Sequence, residues 1–482
     1  MARTLSQRMM RKTPLGEVGK QIEEGDHLAR SIGLFQLTMF GVGATIGTGI
    51  FFVLTTEVPE AGPAVVFSFL AAAVVAGLTA LCYAELASSI PVAGSSYSYA
   101  YATLGEVFAM VVAACLLLEY GVSSAAVAVG WSQYVNQLLD NLFGFQIPDA
   151  LSYSPEEGGF INTPAMVLVF LCMLLLIRGA SESAKANSIM VLIKIAVLML
   201  FVVVGITGWN SNNLADFAPF GVAGVWAATG GIFFSFIGLD AVSTAGEEVK
   251  DPQRTMPRAI ILALLIVSAV YVMVALVAVA AQPWEQFEGQ DAGLSQILQD
   301  VTGADWPGTV IAAGAIISIF SVTLVTIYGQ TRILFAMGRD GMLPELFHTV
   351  NHKTLTPVNN TIIVAIAVAL MAGLVPLSRL ADLTSIGTLA AFSVVSAAVI
   401  ILRRMAPDLP RGFRVPLYPF VPIASIVFCL FVIVGLPPIT FVIFGIWVAV
   451  VLGFYFAYGI KHSRLEQLPG QGVETQTRGG PG

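Results

Sequence analysis

Twelve stretches of roughly twenty residues, each with at most one charged side chain, decide what this chain can fold into. They are 33–54, 63–90, 107–131, 160–177, 186–209 and 222–244, then 259–281, 309–337, 360–376, 383–402, 420–436 and 440–458. A hydrocarbon core about 30 Å thick is crossed by about 20 apolar residues wound as a helix. Hydrophobic residues make up 56% of the chain and charged ones 11%, too few to cover a water-facing surface. The runs are continuously apolar, whereas strands of a membrane barrel alternate. The expected fold class is an all-α polytopic membrane protein of twelve transmembrane helices.

Lysine and arginine resist translocation and gather on the cytoplasmic side of such chains. Of 23 such residues, twenty-one lie before the first run, in alternate loops or within six residues of one, as Arg332 does at the end of the eighth run, or beyond the last run. The exceptions are Arg379, in a loop of the opposite side, and Lys194, inside the fifth run. Both termini are therefore expected in the cytoplasm, with the chain in the plasma membrane. The first run is too long for a signal peptide, so no cleavage is expected. Residues 1–32 read as a cytoplasmic segment, 33–462 as the transmembrane domain and 463–482 as a disordered tail, its end rich in glycine.

Several functions are excluded. Cys82, Cys115, Cys172 and Cys429 lie inside apolar runs without paired spacing, so neither disulfides nor a metal site is expected. His27, His348, His352 and His462 fall in loops or terminal segments, and no phosphate-binding Gly-Lys-Ser/Thr loop marks an ATP-driven pump. No cofactor and no enzyme chemistry are expected. The net charge of −7, with an acidic 285–305 loop free of basic residues, argues against nucleic acid.

Glycine interrupts two runs in corresponding places. The first contains Gly41, Gly43, Gly47 and Gly49; the sixth contains Gly230, Gly231 and Gly238, at a separation that suits two five-helix repeats. Glycine-interrupted helices in equivalent positions point to a transporter's substrate site, where unwound backbone offers amides and carbonyls. Close helix packing is the other reading.

A charge at the centre of a membrane helix costs about 2.5 to 3.5 kcal/mol, so each must be paired, neutral or near water. Glu119, Lys194 and Asp240 are the three deep ones. Lys194 reads either as a group that gains and loses a proton or as a fixed bridge to Glu119 or Asp240. Asp240 reads as a partner for an amino group or as a helix cap. Glu85 and Glu106 stand near cytoplasmic ends within reach of water and read as structural.

Four stretches carry a family resemblance: Gly43-Ala44-Thr45-Ile46-Gly47-Thr48-Gly49-Ile50-Phe51, Pro91 to Tyr97 with Gly105-Glu106, Gly238-Leu239-Asp240-Ala241 leading to Glu247-Glu248, and Tyr328 to Arg332 with Arg339-Asp340-Gly341. At these residues the chain resembles the amino acid, polyamine and organocation transporter superfamily, and within it the cationic amino acid transporter branch. The resemblance implies two inverted five-helix repeats, helices 1–5 and 6–10 with helices 1 and 6 broken, plus two extra helices. It implies a substrate carboxylate on the amides of Gly47, Thr48 and Gly49, and an ammonium on carbonyls near Thr45, Phe234, Ser235 and Ile237. It also places Thr326 at the side-chain end of the pocket and Lys194 where sodium-driven relatives of the fold hold their ion.

The expected function is thus secondary transport of an L-amino acid, cationic or small neutral, by proton symport through the lipid bilayer. An exchanger without net proton flux uses the same pocket, and a non-transporting sensor keeps the same fold. The sequence leaves open whether a small membrane subunit joins it.

Overall fold

The computed structural model describes residues 8–12, 30–288, 293–434 and 438–467. Among these residues there are seven helices long and apolar enough to cross a membrane, and five shorter apolar ones. Among the described residues the strand-like pairing is an isolated bridge between Ile32 and Val249. The helices Thr163–Arg178, Pro252–Ala281 and Trp306–Arg339 carry proline at their first or second position, where its missing N–H and fixed φ cost nothing. The outer faces are apolar and exposed, for example Leu192, Val203, Val427 and Ile446, as lipid-facing surfaces are.

The first apolar run forms two helices, α1 (Leu34–Thr45) and α2 (Thr48–Ala61), parted at Ile46 and Gly47. The sixth forms α9 (Gly221–Phe234) and the single turn α10 (Ala241–Thr244), parted over residues 235–240. Between them lie α3 (Val65–Ser89), α4 (Ser95–Thr103), α5 (Glu106–Leu116), α6 (Ser123–Phe143), α7 (Thr163–Arg178) and α8 (Ala180–Gly205). After them come α11 (Pro252–Ala281), α12 (Gly293–Thr302), α13 (Trp306–Arg339), α14 (Val358–Leu374), α15 (Leu377–Met405), α16 (Phe420–Val434) and α17 (Pro438–Phe454). One π-turn, Leu117–Val122, joins α5 to α6 and carries Glu119; such bulges recur at functional positions.

Both glycine readings hold, at different residues. Gly41 and Gly43 are helical, and a Cβ there would press on Val242 and Asn187. Gly230 and Gly231 are helical too, so the sixth run breaks four residues later than that pair suggests. The break needs Gly238, whose φ is +104° and whose missing side chain lets the chain pass the Ala44 carbonyl.

Two expectations are corrected. Glu85 and Glu106 are fully buried rather than wet. Glu85 takes Arg403 in a two-pronged pair at 2.8 and 2.6 Å, and Glu106 takes Arg11 at 2.9 Å with the Tyr455 and Ser463 hydroxyls. Arginine follows a buried carboxylate inward because its planar fork satisfies two oxygens at once. The start of the tail expected to be disordered from 463 is instead packed through residue 466, where Glu466 pairs with Arg8 and Arg11. Residues 468–482 and most of 1–32 lie outside the described residues.

At this end of the bundle Asp340 accepts the Tyr97 hydroxyl at 3.1 Å, and its carbonyl accepts the Arg464 amide. Burial pushes the Asp340 carboxyl from an ordinary value near 3.8 up to about 6, against the attraction of Arg339 and Arg464. The raised value means this site stabilises the fold fully at low pH and loses that contribution as pH rises through about 6. Asp340→Asn keeps an acceptor for Tyr97 and removes the buried charge. Its melting temperature in detergent should exceed wild type by about 2 °C at pH 7.5 and by less at pH 4.5. A variant less stable than wild type at pH 7.5 would show that the two arginines outweigh burial.

Candidate functional site

The two breaks face each other across a cavity of about 50 Å³, room for several waters or a small side chain. Its wall includes Thr45, Gly47 and Gly49 from the first break, Ser235 and Ile237 from the second, and Thr326 from α13. Glu119 and Tyr120 of the π-turn close one side, with Ser123, Val127 and Thr384. Thr48 opens α2 and Phe234 ends α9; their side chains lie outside the described residues. The approach of the breaks is tight: a Cβ on Gly49 would stand 2.5 Å from Ser235 Oγ, and one on Gly47 2.4 Å from Val322.

The first amides of α2 have no carbonyl one turn back to bond, so this end of the break favours an anion. The opposing carbonyls of Thr45 and Ser235 both receive the Tyr271 hydroxyl, at 2.8 and 3.0 Å. A carbonyl has two lone pairs, so each keeps one for a further donor. Ser235 Oγ is buried and has no partner.

Thr326 Oγ1 accepts from Ser124 at 2.7 Å and donates to the Val322 carbonyl at 3.0 Å. Its polarity is spent within the protein, so it limits the cavity by size. Glu119 is the reverse: both carboxyl oxygens are buried without a hydrogen-bond partner, beside Asp240 and Thr388. Asp240 lies just behind the wall, its Oδ2 accepting from Tyr120 and its Oδ1 unpartnered. Its side chain makes no cap on α10, which removes the capping alternative.

Lys194 lies apart from these carboxyls. Its Nζ, fully buried on α8, donates to the carbonyls of Gly43 at 2.9 Å and Ile46 at 2.5 Å, with Ser321 Oγ at 3.4 Å. The bridge to Glu119 or Asp240 is therefore not formed. The lysine instead holds the last turn of α1 at the point where the helix breaks, and Ser318 donates to the same Ile46 carbonyl.

Other residues of this site were not foreseen. Asn187, two turns before Lys194 on the same face of α8, donates to the Met39 carbonyl and accepts from Ser321. The spacing of seven between two polar residues in an apolar run was the available signal. Tyr271 carried none, because a tyrosine in an apolar run reads as packing.

The amino acid permease family model matches residues 32–457. The chain is 44% identical to the branched-chain amino acid permease BcaP of Bacillus subtilis (strain 168), over 91% of this chain and 95% of that one. It is 43% identical to the methylthioribose transporter of the same organism, over 95% and 99%. It shares 37% identity with the vacuolar cationic amino acid transporter 2 of Arabidopsis thaliana, over 80% of this chain and 61% of that protein. With glycine-broken helices facing one buried cavity and a family match along nearly all its apolar length, the chain belongs to the amino acid permease family, a membrane transporter family rather than an enzyme family.

Proposed function

We propose that this protein is a secondary active transporter that carries an amino acid across the plasma membrane by proton symport. The substrate carboxylate lies on the amides of Gly47, Thr48 and Gly49, and its ammonium on the carbonyls of Thr45, Phe234, Ser235 and Ile237. The side chain points toward Thr326. A small neutral side chain suits the cavity's size and the apolar Val127 and Val322. A cationic one would find the unpartnered Glu119 carboxyl.

The chain crosses the bilayer twelve times with both termini in the cytoplasm, as two inverted five-helix repeats and two added helices. In support, helices that would be equivalent in the two repeats pack on each other: α3 on α11, α6 on α13 and α7 on α14.

The observation that carries proton coupling is the seat of Lys194 on the Gly43 and Ile46 carbonyls. A protonated amine offers three donors and a charge to those carbonyls, and a neutral one fewer donors and no charge. Its proton therefore sets how firmly α1 is held, and α1 ends in the carbonyls and amides that meet the substrate. In proteoliposomes free of internal substrate, uptake should rise with an inward proton gradient. Uptake seen only after preloading with amino acid would replace symport by exchange, and no saturable binding of any proteinogenic amino acid would end the carrier reading.

A further inference from the structure

Asn187 is fully buried on α8, as Lys194 is, and its amide reaches the same two neighbours, α1 and α13. Nδ2 donates to the Met39 carbonyl of α1 at 3.0 Å, and Oδ1 accepts the Ser321 hydroxyl of α13 at 2.7 Å. A main-chain carbonyl can only accept, so the amide nitrogen faces Met39 and the amide oxygen is left for Ser321. Gly43 makes the room: a Cβ there would stand 2.7 Å from Asn187 Oδ1. Ser321 Oγ in turn lies 3.4 Å from Lys194 Nζ.

We propose that Asn187 is a positioning residue for the proton on Lys194: by taking the single hydroxyl proton of Ser321, it turns a lone pair of that oxygen toward Nζ and fits the seat to a protonated amine. The inference deepens the reading of Lys194 as the coupling group and rests on it.

Three observations carry it. First, a serine hydroxyl has one proton to give, and this one goes to Asn187, so toward Nζ Ser321 can only accept. The seat then consists of three acceptors, the Gly43 and Ile46 carbonyls and Ser321 Oγ, which matches the three N–H groups of an ammonium. A neutral amine brings two N–H groups and a lone pair, and here that lone pair would face an acceptor. Second, a helical side chain leans toward the N-terminus of its helix, which carries Nζ back along α8 toward Asn187 and lets one serine touch both. Third, the two carbonyls are acceptors by their chemistry, so Ser321 is the member of the seat whose role could change, and Asn187 decides it.

Among the described residues no charged side chain faces Nζ from the elements packed on α8. Tyr271 on α11 is held by the Thr45 and Ser235 carbonyls, and Arg332 and Arg339 on α13 pair with Glu248 and Glu247. Cys172 on α7 is turned to the Phe320 carbonyl; Arg178 on α7, Asp300 on α12 and Lys185 on α8 itself are exposed. The hydroxyl's orientation is thus set by the amide and not by a nearby charge.

Asn187→Leu keeps the shape of the side chain and frees the Ser321 proton, which can then turn to Nζ and donate to a neutral amine. In proteoliposomes with the interior pH held constant, the external pH of half-maximal uptake should fall by about one unit, the effect of exchanging one hydrogen bond. Ser321→Ala removes the third acceptor and should lower it by a similar amount, and the double variant should go no lower than either single one. An unchanged midpoint in Asn187→Leu, a raised one in Ser321→Ala, or additive shifts in the double variant would each overturn the proposal.

A second measurement needs no transport. In detergent, the melting temperature of Asn187→Leu should fall short of wild type by about 2 °C more at low pH, where Lys194 is protonated, than at high pH. In a Lys194→Met background the shortfall should be the same at every pH. A shortfall that ignores pH with the lysine present would mean that Asn187 only braces α8 against α1. A pH-dependent shortfall in a protein whose uptake ignores the proton gradient would leave Asn187 in its role and remove the coupling reading, whereas proton-driven uptake with a pH-independent shortfall removes the positioning role alone.

Discussion

Lys194→Met should abolish accumulation driven by a proton gradient while leaving the protein folded. One pH unit is worth about 1.4 kcal/mol per proton, so a carrier moving one proton per substrate accumulates about tenfold for each unit. The methionine fills the space of the lysine stem but has no proton to give and no donor for the Gly43 and Ile46 carbonyls. Accumulation in the variant should fall to the level set by diffusion, at every external pH. Lys194→Arg separates charge from proton exchange, because a guanidinium does not deprotonate in the working range. It should retain substrate binding and exchange of labelled for unlabelled amino acid, with no accumulation. A methionine variant whose uptake still follows the proton gradient would show that the lysine only braces α1, and the coupling group would then be sought at Glu119 and Asp240.

The second large effect is expected at Gly238. Its φ of +104° is strained for any side chain, and a Cβ there would stand 2.8 Å from the Ala44 carbonyl and 3.1 Å from its Cβ. Backbone strain of this kind costs about 1 to 3 kcal/mol, and relief would come only by moving the two breaks apart. Gly238→Ala should therefore reduce substrate affinity by about ten- to a hundredfold, read by direct binding to purified protein as well as by uptake. Gly230→Ala is the companion measurement. That residue is helical and a Cβ meets nothing within 4 Å, so transport should be unchanged. Equal losses in both variants would mean that this stretch tolerates no side chain for reasons of packing alone.

The contrast between those two glycines shows where sequence reasoning stopped. Gly230, Gly231 and Gly238 look alike as letters in an apolar run, and the doublet drew attention to a break that lies elsewhere. What distinguishes Gly238 is the Ala44 carbonyl from a segment almost two hundred residues earlier, and no local pattern encodes that neighbour. The two deep acids and the lysine were legible as anomalies because burying an unpaired charge is costly wherever it occurs. Their partners were not, since any pairing of three charges on three helices was open until the helices were packed.

Hydropathy alone settled that the chain is helical and lives in a membrane, because lipid offers backbone groups no hydrogen bonds and leaves an apolar chain little choice. The glycine runs and the charged anomalies, with the family's motifs, marked most of the residues that line the cavity. Only the tertiary structure decided that Lys194 grips the broken end of α1 rather than a carboxylate, that Tyr271 spans both breaks, and that Glu85 and Glu106 are dry. Each of these is a contact between residues far apart in the chain, set by how helices pack rather than by what any one helix contains.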